Sequence, residues 1–326
     1  MTDRDPVTGV PTTLRGSAAL LLWMLGAASA FASVLGLLGD RPWFLDLFAH
    51  FRLQYAAGLV IAVIGMGLLK KWVSTGVFGA ALVLNGVLLA PLWIAPAQPQ
   101  SGGPELRLVA FNVLTSNTQK QAVTDWLNTT DADVLILQEV NQVWIEHLDH
   151  ELVGFYRLQT ASTREDNFGI AAYIRGGLVV DEFDSVIDTA EVPAIHVVLE
   201  FQGQKIRIMG VHTLPPVGSA YSRFRREQLR DASARVTQSE EPVVVAGDLN
   251  ATRWSSPLRR LLRETELRDS AEGFGHQGTW PSSLAWTGMI PIDHVLVSPD
   301  IRVEDRWVGP ALGSDHCPVV VDLVLP

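Results

Sequence analysis

Three apolar stretches without a charged residue occupy the first third of the chain, and they constrain its fold more than any other feature. They cover residues 16–38, 53–69 and 72–94. Each is near the roughly 17 to 25 residues that an α-helix needs to cross a membrane. We therefore expect three transmembrane helices. A cleaved signal peptide is the alternative for the first stretch, but that stretch exceeds the usual apolar run of about 7 to 15 residues.

The short loops predict how these helices are oriented, because Lys and Arg are retained on the cytoplasmic side of a membrane. The basic residues that indicate a cytoplasmic position are Arg4, Arg15, Lys70 and Lys71. Arg41 and Arg52, in the first loop, count against this orientation. The balance predicts a multi-pass protein whose chain after about residue 95 lies on the extracytoplasmic side.

Residues 95–103 are rich in Pro and Gly and have no periodicity, so they indicate a linker. About nine extended residues span only roughly 30 Å, which keeps the following domain close to the lipid headgroups. We therefore expect a membrane domain over residues 1–94, the linker, and one globular domain over residues 104–326, which is long enough to bury a core.

The globular part is acidic. Residues 104–326 carry 19 Lys and Arg against 31 Asp and Glu, a net charge of −12. Surfaces that bind nucleic acid without sequence preference usually have the opposite sign, so long nucleic acid is a disfavoured substrate. The single cysteine, Cys317, excludes an intrachain disulfide, and its apolar neighbours predict a small buried side chain without a catalytic role.

Short β-branched runs alternate with helical patterns in this domain, which predicts an α/β sandwich. The predicted strands are residues 106–111, 134–137, 169–174, 196–201, 205–211, 243–246, 294–297 and 318–325. The predicted helices are residues 119–128, 221–236 and 257–263. The turn over residues 201–205 predicts a hairpin, so the sheet is expected to be mixed rather than purely parallel.

Several predicted strands end at acidic, amide or imidazole side chains. These groups, which can bind cations or move protons, would lie in loops that form the rim of a pocket on a rigid sheet. These residues are Glu139, Asp248, Asn250, Asp315 and His316. A phosphoester repels hydroxide, so its hydrolysis needs a cation, an activated water and a proton donor. Hard oxygen ligands favour Mg²⁺ or Mn²⁺. The pattern predicts metal-dependent hydrolysis of a phosphate ester.

Individual residues have alternative interpretations. Glu139 is expected to be the principal metal ligand, or else an acid that stabilises the N-terminus of the next helix. If the strand before Asp248 continues, Asp248 and Asn250 face one substrate, where Asp248 would deprotonate water and Asn250 would donate its amide to a phosphoryl oxygen. The alternative for that pair is an Asx turn.

His212 and His316 each follow or precede an apolar strand, and both are candidates for proton transfer or for stabilising a charged transition state. Asp293 is expected to hold one of the two imidazoles in its productive tautomer. Five further histidines are expected to be structural or solvated, because a lone histidine more often is; they are His147, His150, His196, His276 and His294.

Six short motifs follow one another in order along residues 104–326. They are Asn112 in Phe-Asn-Val-Leu, Gln138-Glu139, Gly210-Val-His212, Gly247-Asp-Leu-Asn250, Ile292-Asp293 and Gly313-Ser-Asp-His-Cys-Pro318. In this order they resemble the endonuclease/exonuclease/phosphatase superfamily. The resemblance implies a four-layer α/β sandwich, in which two packed mixed sheets are flanked by helices and the pocket lies at one end of the sheets.

The resemblance also implies a role for each motif position. Glu139 would bind Mg²⁺ with help from Asn112, Asp248 and Asn250 would lie at the attacking water and the phosphate, His212 would contact the phosphate, Asp293 would orient His316, and Asp315 would be a further carboxylate on the metal or water side. Asn112 and Asn250 thereby also count as substrate-binding residues. Some superfamily nucleases have an acid where this chain has Leu114, so a second metal site is not expected.

The three apolar spans and the segment Gly278-Thr-Trp-Pro281 look most like a bacterial membrane-anchored branch, which includes VanJ-type teicoplanin-resistance membrane proteins. That likeness implies an extracytoplasmic site on the bacterial cytoplasmic membrane and a lipid-linked phosphate as substrate.

Two further groups of residues bear on the substrate. The first is Arg223, Arg225 and Arg226, among which Arg226 is expected to bind a second phosphate or a headgroup. A solvated helix face is the alternative. The second is the apolar stretch that contains Trp280, Leu284, Trp286, Met289 and Ile290. It is expected either to dip into the membrane interface, to hold an acyl or prenyl chain, or to pack in the core.

The leading hypothesis is a membrane-embedded, Mg²⁺-dependent phosphohydrolase that acts on a phosphoester or pyrophosphate of a lipid-linked substrate, with undecaprenyl pyrophosphate as one candidate. A secreted-side nuclease that cuts DNA or RNA is the first alternative. A non-catalytic receptor or assembly factor that retains the fold is the second.

Overall fold

The computed structural model describes residues 12–100, 102–152, 154–187, 190–285 and 287–326. Arg4, Ser101 and Trp286, on which some of the sequence predictions depend, lie outside these residues.

Eight α-helices and twelve strands form the described part of the chain. The helices are α1 (Thr12–Leu35), α2 (Phe44–Leu47), α3 (Arg52–Leu68), α4 (Trp72–Leu89), α5 (Lys120–Thr130), α6 (Gln142–Glu151), α7 (Gly218–Gln238) and α8 (Ser256–Thr265), and a 3₁₀ turn (Ala90–Leu92) extends α4. The strands are β1 (Glu105–Asn112), β2 (Val134–Gln138), β3 (Tyr156–Ser162), β4 (Ile170–Arg175), β5 (Val179–Ile187), β6 (Pro193–Phe201), β7 (Gln204–Gly210), β8 (Val243–Asp248), β9 (Arg268–Asp269), β10 (Asp293–Val297), β11 (Arg302–Val308) and β12 (Val319–Val324).

All three apolar stretches are helical, but they differ in length. The segments Gly16–Leu35 and Trp72–Leu92 are long and apolar enough to cross a membrane, as judged by length and composition. The segment between them, Arg52–Leu68, has 17 residues. At 1.5 Å per residue this helix is about 25 Å long, which is less than the roughly 30 Å of a hydrocarbon core. A membrane-crossing length is therefore found for two of the three predicted spans.

Small residues bring helix α3 close to helix α1. A Cβ atom added at Gly58 would lie 2.7 Å from Ser29 Oγ, and one added at Gly65 would lie 2.6 Å from Leu22 Cδ1. Both distances are shorter than a carbon contact allows, so a side chain at either position would require Ser29 or Leu22 to move. Close backbone approach over small residues is typical of helices that pack without water between them.

The twelve strands described between residues 105 and 324 form two six-stranded mixed sheets. Their strand orders are β11-β12-β1-β2-β4-β3 and β5-β6-β7-β8-β10-β9. The pairs β1–β2 and β7–β8 are parallel, and the remaining neighbours are antiparallel. The predicted hairpin is present, because Phe201 of β6 pairs with Gln204 of β7 across a two-residue turn.

The two sheets pack face to face. The apolar side chains between them include Leu108, Ile136, Ala172, Ile195, Ile208, Val244 and Val295. Helices α5 and α6 cover the outer face of the first sheet through residues such as Leu127 and Trp144. Helices α7 and α8 cover the second through Leu229 and Leu258. The prediction of an α/β sandwich with two mixed sheets flanked by helices is therefore confirmed.

The loop between α1 and α3, residues 36–51, lies against the globular part; we call it the α1–α3 loop. Its Ala49 packs with Leu92, Trp254 and Ala271 in one apolar cluster. Backbone hydrogen bonds join Gly273 N to Pro91 O and Gly275 N to Leu92 O, at 3.0 and 2.5 Å. The ends of the apolar helices are thus attached to the sandwich directly, in addition to the connection through residues 95–103.

Candidate active site

The candidate site lies at one edge of both sheets, where strand ends meet. Asn112 is the last residue of β1, and Asp248 is the last residue of β8. Glu139 follows the last residue of β2. Asp293 begins β10, which is antiparallel to β8, and it pairs directly with Asp248. Parallel strands end at a common edge and antiparallel neighbours begin there, so the sheet topology brings these four side chains together.

Glu139 has its carboxylate turned towards the segment after β1. Its Oε1 accepts a hydrogen bond from Asn112 Nδ2 at 2.9 Å, and its Oε2 accepts one from Thr115 N at 3.3 Å. Its backbone has φ +61°, a left-handed conformation that non-glycine residues rarely adopt. The next helix is capped by Asn141 instead, whose side chain accepts from Trp144 N. The side chain of Glu139 therefore serves the pocket rather than that helix.

Asp248 lies at the centre of the hydrogen-bond network. Asn112 Nδ2 donates to its Oδ2 at 3.2 Å, and the backbone N–H of Asn250 donates to its Oδ1 at 2.8 Å. The second bond is the Asx turn that the sequence offered as an alternative. Strand β8 ends at Asp248, and Asn250 has φ +44° with its amide donating to Thr213 O at 2.8 Å. The strand does not continue, so Asn250 reaches the pocket rim through a turn and not through strand alternation.

Two histidines lie close to Asp248. His212 precedes it in the sequence and His316 follows it. Asp248 Oδ2 lies 3.5 Å from His212 Nε2 and 3.6 Å from His316 Nε2. The other ring nitrogen of His316, Nδ1, lies 2.9 Å from Asp293 Oδ2. Asp293 therefore fixes the orientation of the His316 ring and leaves Nε2 facing Asp248.

Burial and neighbouring charge shift the pKa values in this cluster in different directions. Burial raises the pKa of Glu139, and it raises the pKa of Asp248 to about 7. Burial also lowers the pKa of His212 to about 3, with His316 adding to the effect. His316 is buried too, but the carboxylates of Asp293 and Asp248 outweigh that penalty and raise its pKa to about 10. The site thus contains one imidazolium and one neutral imidazole near pH 7.

Two neighbouring groups of side chains offer ligands for a cation. Asp248, Asp293 and His316 present ligand atoms that all lie within 4.8 Å of one another. The sequence-predicted ligands Glu139 and Asn112 are hydrogen-bonded to each other. Asp315, the third predicted ligand, is exposed, and its Oδ2 accepts a hydrogen bond from Trp280 Nε1 at 3.2 Å. Its charge contributes to the raised pKa of Glu139.

Two of the three arginines singled out in the sequence form ion pairs with the α1–α3 loop. Arg226 Nε lies 3.3 Å from Asp40 Oδ2. Arg225 is buried, and its Nη2 lies 2.5 Å from Asp46 Oδ2. Arg223 is exposed and lies 3.9 Å from Glu227. The structure therefore places Arg226 at the junction between the loop and the sandwich, and its contact with a substrate stays a prediction.

Four residues that the sequence analysis did not single out complete the network. Thr115 bonds Glu139, Ser314 joins Asn112 O to His316 N, and Thr279 accepts from Asp293 N. The ring of Phe168 lies 5.1 Å from that of His212, centroid to centroid. Ser314 and Thr279 lie inside motifs that the sequence had already indicated, so their contribution to the site could have been predicted. Phe168 lies in a loop outside those motifs, and no sequence pattern indicated its role.

Comparison with known proteins gives a consistent picture of the fold. The profile of the Endonuclease/Exonuclease/phosphatase family matches residues 109–316. A comparison with curated protein sequences found no match.

Similar solved structures have low sequence identity. An endonuclease/exonuclease/phosphatase from Bacteroides vulgatus has a TM-score of 0.58 at 21% identity, covering 68% of this chain and 100% of its own. A mannosyl-6-phosphatase from Bacteroides thetaiotaomicron has 0.55 at 17% identity, with coverages of 68% and 100%. D. rerio TDP2 complexed with a single-strand DNA product has 0.56 at 18% identity, with 67% and 98%.

Proposed function

Because this chain belongs to the endonuclease/exonuclease/phosphatase family of phosphoric ester hydrolases, we propose that it is a membrane-anchored, Mg²⁺-dependent phosphohydrolase with an extracytoplasmic active site. Its substrate would be a phosphoester or pyrophosphate of a lipid-linked molecule. The observation that carries the proposal is the buried cluster of Asn112, Glu139, Asp248, Asp293 and His316, which are linked by hydrogen bonds and close contacts at one edge of the two sheets.

The residues present fit a divalent cation. Glu139 and Asp248 are both buried carboxylates, burial raises the pKa of each, and they share one amide donor, Asn112 Nδ2. Bound Mg²⁺ or Mn²⁺ would neutralise the negative charge of these two buried carboxylates. We propose that Glu139 holds the ion, with Asn112 and Asp315 beside it. A bound divalent cation would supply charge stabilisation to the phosphoryl oxygens.

The protein groups divide the remaining chemistry among them. Asp248 is placed to accept a proton from a water whose oxygen attacks phosphorus, while the bond to the leaving oxygen breaks in line with that attack. His316, held by Asp293, offers an imidazolium N–H towards the same region, where it would stabilise the developing negative charge. The neutral ring of His212 would contact the phosphate from the other side of Asp248. Asn250 would complete the phosphate contacts.

The proposed location rests on the N-terminal helices. Only 22% and 17% of residues Gly16–Leu35 and Trp72–Leu92 are buried, so these helices are not the core of a soluble domain. We propose a membrane domain over residues 1–94, a linker over residues 95–103 and a catalytic domain over residues 104–326. With Lys70 and Lys71 on the cytoplasmic side, the catalytic domain would lie outside.

A nuclease with the same chemistry is the alternative. The structure of TDP2 with a DNA product illustrates that similar folds can hold a nucleic acid. The acidic balance of residues 104–326 favours a smaller phosphorylated substrate, because that surface repels the phosphates of a long polyanion.

The test is an activity assay of the detergent-purified full-length protein with Mg²⁺ or Mn²⁺. The substrates would be lipid phosphates that include undecaprenyl pyrophosphate, soluble phosphate esters and supercoiled plasmid. We expect release of phosphate from a lipid substrate, loss of activity with a chelator, and losses of at least about a hundredfold for Glu139→Gln and for His316→Ala.

Glu182→Gln is the matched control, because Glu182 is an exposed acid on β5, and this variant should retain wild-type activity. A wild-type protein that hydrolyses none of the lipid phosphates would refute the proposal. Plasmid cleavage that depends on Glu139 would favour the nuclease.

A further inference from the structure

A cavity of about 350 Å³ lies between the α1–α3 loop and the catalytic domain. The loop contributes Trp43, Leu47, His50 and Phe51 to its wall. Three of these four side chains are apolar, and burial lowers the pKa of the fourth, His50, to about 4, so that wall carries no charge near pH 7. A cavity of this size and polarity is suited to the apolar part of a small ligand.

The opposite wall belongs to the catalytic domain and shares Asn250 with the candidate active site. It includes Val217, Asn250, Trp280 and Ile290. Asn250 N donates to Asp248, and Trp280 Nε1 donates to Asp315. A molecule whose phosphate lay beside Asp248 would therefore have the cavity wall at Asn250 as its neighbour.

Buried hydrogen bonds hold the loop in place, so the cavity is a defined feature of the fold. Asp46 accepts hydrogen bonds from Arg225 Nη2, Ser255 Oγ and Ser256 N at 2.5 to 2.8 Å. Arg225 Nη1 also donates to Asn250 O at 2.7 Å. The buried Arg225 side chain thus connects Asp46 of the loop to Asn250, which lines the cavity and belongs to the candidate active site.

The rim of the cavity is apolar and exposed on the side of the N-terminal helices. The exposed fractions are 73% for Val217, 40% for Phe51 and 46% for the neighbouring Phe44. Phe51 immediately precedes α3, whose outer face carries further exposed apolar residues such as Ile61 and Ile64. Exposed apolar side chains are thus found both at the cavity rim and on α3, as expected if a chain enters the cavity from a bilayer.

We propose that this cavity binds the phosphate-proximal part of one hydrocarbon chain, prenyl or acyl, of a membrane lipid phosphate whose phosphate occupies the active site. The inference rests on the proposed function and adds to it the site that selects the substrate. Each buried methylene improves binding by about fourfold, so a substrate with two or more additional methylenes in the cavity gains more than about tenfold.

The experiment compares two phosphates with the same headgroup, one with a long prenyl chain and one with a short water-soluble chain, using full-length protein in detergent. The measured quantity is the ratio of kcat/KM for the long chain to kcat/KM for the short chain. We expect a ratio above about ten for the wild type and a fall of at least about tenfold in that ratio for Val217→Glu, which places a charge at the rim.

Val179→Glu is the matched control, because Val179 is also an exposed valine, at 58%, but lies on β5 away from the cavity. Its ratio should equal that of the wild type. Equal kcat/KM for both chains, or an unchanged ratio in Val217→Glu, would overturn the chain-binding site while leaving the phosphohydrolase intact.

A second measurement does not depend on turnover. A long-chain monophosphate that carries a diazirine on its chain is crosslinked by light, and the labelled peptides are identified by mass spectrometry. We expect labels in residues 43–51 or 215–217, with competition by the unlabelled lipid. Labels confined to other segments would refute the inference, whether or not the protein hydrolyses the probe.

Discussion

At the scale of single residues, the histidines show how the same side chain acquires opposite properties. His212 and His316 both approach one oxygen of Asp248, yet the pKa of His212 falls to about 3 and that of His316 rises to about 10. Asp293 bonds directly to His316, and together with Asp248 it outweighs the effect of burial that dominates at His212. Burial alone drives an imidazole to its neutral form, and a buried carboxylate partner reverses that effect.

His196 provides a test of this argument away from the candidate site. It is buried on β6, and burial, with Arg235 and Arg207 nearby, lowers its pKa to about 4 from 6.5. The unfolded chain therefore binds a proton at a higher pH than the folded chain does. Stability contributed by neutral His196 is complete above about pH 6.5 and falls as the pH drops towards 4, by an amount on the order of 3 kcal/mol.

The measurement is the thermal midpoint of the full-length protein in detergent between pH 7.5 and pH 4.5. We expect the midpoint of His196→Gln to fall less over this range than that of the wild type. His150→Gln is the control, since His150 is exposed, and it should follow the wild-type curve. Parallel curves for wild type and His196→Gln would contradict the assignment.

The sequence predicted the site residues at strand ends and His316 in the loop before β12, but it did not indicate several others that loops supply. Glu139 and Asp248 follow apolar runs, so their meeting at a sheet edge could be predicted from alternation and topology alone. Thr115 and Phe168 come from loops whose course depends on the packed structure. Of the two alternatives for Asp248 and Asn250, the structure contains the Asx turn, which ends strand β8 at Asp248.

At the scale of elements, the strands that the sequence did not predict share one property. They are β3, β5, β9 and β11. All four lie at the edges of the two sheets, whereas the eight predicted strands occupy the interior positions. An edge strand such as β5, with Asp181, Glu182 and Asp184, exposes charged side chains and lacks an apolar run. A strand that is buried on both faces has an apolar run that can be recognised in the sequence. At the edge of a sheet this run is shorter or absent, so the strand is harder to predict.

A buried ion pair, Asp46 with Arg225, attaches the α1–α3 loop to helix α7, and its contribution to stability can be measured. Asp46 and Arg225 are each 1% exposed, and 179 residues separate them in the chain, so no local pattern reveals the pair. Removing one partner of a buried pair leaves the other charge without compensation, which costs roughly 3 to 5 kcal/mol.

We therefore expect Asp46→Asn and Arg225→Gln each to destabilise the protein strongly, and the double variant to lose less than the sum of the two. A double-mutant cycle on the denaturation midpoint would give this coupling. The exposed pair Arg223 and Glu227 on α7 is the matched control, with an expected coupling below about 1 kcal/mol. Strict additivity for Asp46 and Arg225 would show that the loop is not held by this pair.

At the scale of the whole molecule, the helices and the sandwich are joined at the active-site edge. The α1–α3 loop and the end of α4 contact the sandwich through Trp254, whose Nε1 donates to Leu88 O at 2.9 Å, and through His50, which pairs with Thr252. Those contacts lie just beyond Asn250, so the catalytic edge faces the helices rather than away from them.

The proposed orientation predicts which surfaces a membrane-impermeant maleimide can reach in spheroplasts. The single cysteine, Cys317, is buried and would first be replaced by alanine. In that background we expect Glu182→Cys to be labelled in intact spheroplasts and Lys71→Cys to be labelled only after permeabilisation. The reverse pattern would place the catalytic domain in the cytoplasm, and labelling of both in intact spheroplasts would mean that these helices do not separate two compartments.

The attachment of the catalytic edge to the helices has a kinetic consequence for an enzyme that acts on a lipid. Substrate would arrive by lateral diffusion within the bilayer leaflet, and its encounter with Asp248 would not require desorption into water. Turnover would then follow the mole fraction of substrate in the membrane, so dilution with inert lipid would slow the reaction even when the total amount of substrate per volume stays constant.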